Sequence, residues 1–182
     1  RKTPLRAQPR SKGNRAEREI IDILKERGYV YARRNFQSGG QGGGDIIDGP
    51  PDVHIEVKHR APLSMWESLK QAEAEARPTD IPSVWFRVNR RPWYVCLPEA
   101  HTEDLWPPYG DPAHRPVPIF CVHRTKRTFS LWDLIDEANE SGHIANSGHF
   151  IPMVNFGRPD ESRYLIVPME DFLDALKARE GR

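Results

Sequence analysis

Two cysteines in 182 residues, Cys96 and Cys121, are too few and too far apart to form a disulfide scaffold or a CxxC-type zinc site. Both read as buried thiols. No apolar run approaches the roughly 18 residues needed to cross a bilayer. No charged start followed by an apolar stretch and a small-residue site marks a secretory signal, so an aqueous, cytoplasmic setting away from membranes is expected. Self-similarity at a period of about 20 to 50 residues is missing, which excludes solenoid arrays. His101, His114, His123, His143 and His149 show no HExxH or comparable ligand spacing and read as surface or packing residues. The glycines do not form GxxxxGK[ST], which argues against a nucleotide cradle.

What the chain has is charge. Charged residues make up 29% and hydrophobic ones 37%, with a mean hydropathy of -0.70, the balance of a globular protein with a modest core. The net charge of +1 conceals an uneven distribution. Residues 1–60 carry 13 Lys+Arg against 8 Asp+Glu, and residues 61–182 carry 14 against 18. Residues 1–13 read as a basic, flexible arm interrupted by Pro4, Pro9 and Gly13, either a phosphate-seeking tail or a solubilising one. Residues 14–98 read as the core, and 99–182 as a C-terminal extension of unassigned chemistry, divided at the Pro-rich stretch from Glu99 to Pro118.

The first helix is expected over residues 14–27, with Asn14 and Glu17 at capping-box spacing and Gly28 as its stop. Ile20, Ile21 and Leu24 lie three, four and seven residues beyond Glu17, which places that carboxylate in the apolar stripe while Glu19 points the other way. A carboxylate so aimed needs a cation or donor. Tyr29 to Arg33 read as a short strand. The glycine-rich loop that follows, with Gly39, Gly40, Gly42, Gly43 and Gly44, suits either close approach to a phosphate backbone or a plain linker.

Asp45 to Lys58 reads as a β-hairpin turning through Gly49, Pro50, Pro51 and Asp52. If Asp48 pairs with Val53, antiparallel register sets Asp45 opposite Glu56, with Lys58 one step further on the same face. Ile46, Val53, Ile55 and Val57 fill the other face. Two facing carboxylates repel unless a cation lies between them, so the trio forms a platform for a divalent metal beside an ammonium. Asp52, which with Pro51 imitates the start of a PD…ExK pattern, falls in the turn, too close in sequence to Glu56 to stand beside it. Further elements are a helix over Ser64 to Arg77 capped by Ser64, strands over Ile81 to Val88 and Trp93 to Leu97, a strand over Pro118 to His123, a helix over Leu131 to Asn139 capped by Ser130, a strand pair, and a helix over Glu170 to Arg179.

Taken in order, Lys12-Gly13, Glu17-Arg18-Glu19, Gly28-Tyr29 with Arg33, Ser38-Gly39, Asp45-Ile46-Ile47 and Glu56-Val57-Lys58 resemble the archaeal-type (Hjc) Holliday-junction resolvases and their phage-encoded relatives, within the PD-(D/E)XK nuclease superfamily. The likeness covers about residues 11–98. It implies an α/β fold, a restriction-endonuclease-like mixed β-sheet flanked by helices, here followed by an α+β extension. It also implies a homodimer that makes paired symmetric nicks in four-way DNA junctions, leaving 5′-phosphate and 3′-hydroxyl ends. Mg²⁺ would be the cofactor, with Mn²⁺ as a substitute. Carried over, Glu17, Asp45, Glu56 and Lys58 would be catalytic, with Glu17, Asp45, Glu56 and the Val57 carbonyl toward the metal. Lys12, Arg15, Arg18, Arg33, Arg34, Ser38, Gly39 and Arg87 would lie near DNA. The competing expectations are a restriction-like or repair endonuclease acting on duplex or flap DNA, and a non-catalytic DNA-binding protein on a nuclease-like scaffold.

Overall fold

A computed structural model describes residues 9–36, 44–59, 63–88, 90–106, 119–124, 130–145, 151–157 and 163–181. The chain divides into two compact units, residues 1–91 and 92–182.

In the first unit, α1 spans Pro9–Glu26. It begins five residues earlier than the sequence suggests, so part of the expected flexible arm is helical. Proline suits a first helical position, and the cost of Gly13 in a helix, about 1 kcal/mol, is small beside that of breaking an 18-residue element. Ala16, Ile20 and Leu24 are fully buried and Ile21 nearly so, confirming the apolar stripe. The helix ends in a Schellman turn: Gly28 takes φ 95, its N–H donates to the Lys25 carbonyl at 3.0 Å, and the Tyr29 N–H donates to the Leu24 carbonyl at 2.9 Å. A second turn follows at once, the Ala32 N–H donating to the Tyr29 carbonyl at 3.0 Å. The following strand, β1, is therefore confined to Arg33–Arg34 rather than starting at Tyr29.

β1 pairs antiparallel with β2 (Ile46–Ile47), and β2 with β3 (Val53–Lys58). Ile46 stands opposite Ile55, the register expected of the hairpin. β3 leads through α2 (Met65–Glu75) to β4 (Ile81–Phe86), which lies parallel to it, giving the order β1-β2-β3-β4 and a mixed sheet. Every residue of β4 is buried, as befits a strand covered on both faces. Met65, Ser68, Leu69 and Ala72 form the buried side of α2. Ser64 occupies the N-cap position, but its side chain makes no capping bond; instead the Ser68 hydroxyl donates to the Ser64 carbonyl at 2.9 Å.

The second unit contains β5 (Tyr94–Pro98), a short 3-10 turn, α3 (Thr102–Leu105), β6 (Ile119–Arg124), α4 (Leu131–Ala145), β7 (Ile151–Gly157), β8 (Arg163–Pro168) and α5 (Met169–Glu180). β6 and β7 are parallel, joined across α4, and β8 runs antiparallel to both β7 and β5. The Ser130 hydroxyl accepts the Asp133 N–H at 3.4 Å, as its expected capping role requires. β5 was expected to close the first unit, with the boundary at Pro98. It falls in the second unit because all five of its residues pair with β8. Cys96 within it is a buried thiol.

Candidate active site

The site is assembled on β3, where strand alternation sends His54, Glu56 and Lys58 to one face and Ile55 and Val57 to the other. Ile55 and Val57 are buried with Ile46, so the apolar face holds the strand in place. On the polar face Glu56 is only 3% exposed. Its carboxylate accepts a hydrogen bond from the Lys58 ammonium, which also donates to Gln71 Oε1 of α2 at 3.2 Å.

Asp45 reaches this face from the residue before β2. Its N–H donates to the Ile55 carbonyl at 2.8 Å and its own carbonyl accepts the Asn35 N–H at 2.9 Å, so its backbone is clamped between β3 and the segment after β1. The Asn35 side-chain amide adds a bond to the Gly44 carbonyl at 3.0 Å. A Cβ on Gly44 would stand 2.2 Å from the Ile55 carbonyl oxygen, so only glycine lets the chain approach β3 this closely. The Asp45 carboxylate then accepts the Val57 N–H at 2.8 Å. In an extended strand the N–H and C=O of one residue point to the same side, so the Val57 carbonyl also faces the edge where Asp45 sits.

Burial pushes the Asp45 carboxyl above its ordinary value, against the pull of the Val57 N–H. Burial and then the charge of Asp45 push Glu56 up as well, with the Lys58 hydrogen bond opposing. Both carboxylates thus sit where negative charge is disfavoured unless more positive charge arrives.

Glu17 has the partner its position demands. Arg34 of β1 donates through Nε to Glu17 and through a terminal nitrogen to Asn14 Oδ1 at 2.7 Å. Burial raises the Glu17 carboxyl, the Arg34 bond lowers it, and the charge of Asp45 raises it again, so Glu17 is within electrostatic reach of the β3 cluster.

The residues expected near DNA divide differently. Arg15 and Arg18 are exposed on α1, the latter donating to the Asn14 carbonyl at 3.1 Å. Arg33 is exposed and paired with Asp48 at 2.6 Å. Arg34 and Arg87 instead turn inward, Arg87 to Glu19 at 2.5 Å, because these half-buried carboxylates need cations nearby. Glu19, expected on the side of α1 away from the apolar stripe, is accordingly held by Arg87. The Lys12 side chain, Ser38 and Gly39 lie outside the described residues.

Sequence reasoning missed four residues. His54 sits two before Glu56, a spacing that strand alternation alone could have flagged, and burial lowers its basicity. Glu75, on α2, joins it: a ring nitrogen of His54 and one oxygen each of Glu56 and Glu75 lie within 4.8 Å of one another. Tyr31 and Phe36, 81% and 85% exposed, flank β1, with the Arg34 guanidinium 5.6 Å from the Phe36 ring centroid.

A family model described as "Phage putative PDDEXK endonuclease" matches residues 8–110, more than half of the chain. The chain belongs to this family. Neither the curated proteins nor the solved structures gave a match. The matched span covers the whole first unit from α1 onward and runs on through β5, so the family's core crosses the division seen in the fold. As a PD-(D/E)XK endonuclease the chain is a nuclease of a class that generally uses a divalent metal. Its residues fit one, since Asp45 and Glu56 are carboxylates held close together and made cation-seeking by burial, at a strand edge that also offers a carbonyl. Among the described residues no helix is long and apolar enough to cross a membrane.

Proposed function

We propose that this PD-(D/E)XK nuclease is a structure-specific endodeoxyribonuclease that resolves four-way DNA junctions by paired symmetric nicks. It acts as a homodimer in the host cytoplasm, with Mg²⁺ as cofactor and Mn²⁺ able to replace it. The observation that carries the chemistry is the clamp that draws Asp45 against the Val57 N–H, beside the buried Glu56 and its Lys58 partner. Asp45, Glu56 and the Val57 carbonyl would hold the ion, with Glu17 supporting its outer shell. When bound, the ion supplies an acidified water and positive charge at the scissile phosphate. Lys58, held by Glu56 and Gln71, positions the attacking water and stabilises charge developing on the phosphate. Arg15, Arg18 and Arg33 meet backbone phosphates. Tyr31 and Phe36 offer ring faces to bases that a branched DNA leaves unstacked, and this favours junction or flap over linear duplex.

Incubation with a mobile four-way junction and Mg²⁺ should yield two symmetric nicks near the crossover. Asp45→Asn and Glu56→Gln should abolish them while DNA binding persists. Cutting of flap or linear DNA in preference to the junction would replace the resolvase reading with a repair or restriction-like one. Undiminished cleavage by either variant would remove these residues from the chemistry.

A further inference from the structure

We infer that His54, Glu56 and Glu75 form a second metal centre, one that takes a divalent transition ion of the Mn²⁺, Co²⁺ or Zn²⁺ type. Its donors differ from those on the Asp45 edge: an imidazole and a carboxylate from one face of β3, and a carboxylate from the last turn of α2, with Glu56 shared. The donor atoms already lie within 4.8 Å of one another. Ligands about 2.0–2.2 Å from a tetrahedral ion stand roughly 3.5 Å apart, so closure takes a movement of about an ångström.

A second observation points to a ligand. His54 is 4% exposed, and its Nε2 is buried with no hydrogen-bond partner. A buried ring nitrogen without a partner carries a desolvation cost that an ion bound through it would remove. The His54 backbone is pinned, since its carbonyl accepts the Ser83 hydroxyl at 2.6 Å and that hydroxyl in turn accepts the Trp85 indole N–H at 2.9 Å. Glu75 is oriented from its own helix, accepting the Gln71 amide at 3.2 Å. One imidazole with two carboxylates selects against Mg²⁺, which prefers an all-oxygen shell and keeps its waters, and for a borderline ion. Such an ion would tie α2 to β3 behind the cleavage edge, so that the helix supplying Gln71 to Lys58 is locked in place.

The inference does not depend on the junction reading, and its test contains no DNA. The full chain, stripped with a chelator, is titrated with Co²⁺ in excess Mg²⁺ and followed by d–d absorption and calorimetry. One Co²⁺ per chain should bind, with a melting temperature raised by the ion. His54→Gln and Glu75→Gln should each weaken that binding by at least roughly tenfold, as loss of a direct ligand does, whereas Asp45→Asn should keep it within about threefold. Should His54→Gln fail to fold, the half-buried Glu75→Gln carries the test. Absence of Co²⁺ binding under Mg²⁺, or unchanged binding in the foldable variants, overturns the second centre. A chain that binds Co²⁺ through His54 yet cuts no junction leaves this inference standing and sinks the resolvase; the reverse pair of results does the opposite.

Discussion

Asp45 and Glu56 are brought together although they repel, and the folded protein answers this partly by making each harder to ionise. For Glu56 the sign of the resulting pH dependence follows directly. Its folded value lies above the ordinary 4.5, so its contribution favours the fold below that pH and fades as pH climbs through the folded value. In chelator, the stability of Glu56→Gln relative to the parent should therefore increase as pH is raised from 4.5 toward neutrality, measured by urea unfolding at a series of pH values. A divalent metal should flatten that trend by taking the place of the proton. A constant difference with pH in the metal-free proteins would contradict the account. Lys58 carries a different expectation, because in the proposed mechanism its ammonium acts on charge that develops only during the reaction. Lys58→Met should lower the single-turnover cleavage rate by about 10²–10³-fold and leave junction affinity nearly unchanged. A gel-shift assay beside the rate measurement separates the two.

Between elements, two contacts decide whether the side chains meet. The first is the passage of Gly44 over the Ile55 backbone, which has no room for a Cβ. Gly44→Ala should push the start of β2 away from β3, break the Asp45 N–H bond to Ile55, and destabilise the fold by about 2–4 kcal/mol. Cleavage should fall further than this stability loss explains when assayed well below the melting temperature. The second contact joins α1 to β1 through Glu17 and Arg34, whose side chains are 12% and 31% exposed. Arg34→Ala leaves a nearly buried carboxylate without its main donor and should cost about 1–3 kcal/mol, read by thermal or urea unfolding. The double change with Glu17→Gln should recover much of that loss. No recovery would mean that Arg34 acts through something other than Glu17.

At the scale of the molecule, the proposed resolvase needs a surface that meets branched DNA. Tyr31 and Phe36 project beside the arginines of β1, outside the packed core. Replacing both by alanine should weaken junction binding by about 1–3 kcal/mol for each base that had stacked, with little effect on linear duplex of the same length. Equal weakening of both substrates would assign the rings to another role. The proposed paired nicks need two active sites, so on that reading light scattering should give twice the 21.0 kDa chain mass. A monomeric mass that persists in the presence of a junction would remove the paired-nick mechanism.

Much of this protein was legible before folding because its signals are short-range. Period-3.6 apolar spacing marked α1, period-2 alternation marked β3, and a four-residue turn set the register that puts Ile46 opposite Ile55 and Asp45 beside Glu56. Boundaries were less legible. The two turns after Glu26 displaced β1, and β5 joined β8 because strand pairing depends on partners some 70 residues away. The partner of Glu17, the inward turn of Arg87 to Glu19, and the approach of Glu75 from α2 to His54 likewise join residues from separate elements. Local pattern determined which side chains share a strand face; only packing of helix on sheet decided which charges are buried together, since burial, and with it the demand for a counter-charge, exists only once distant segments exclude water from one another.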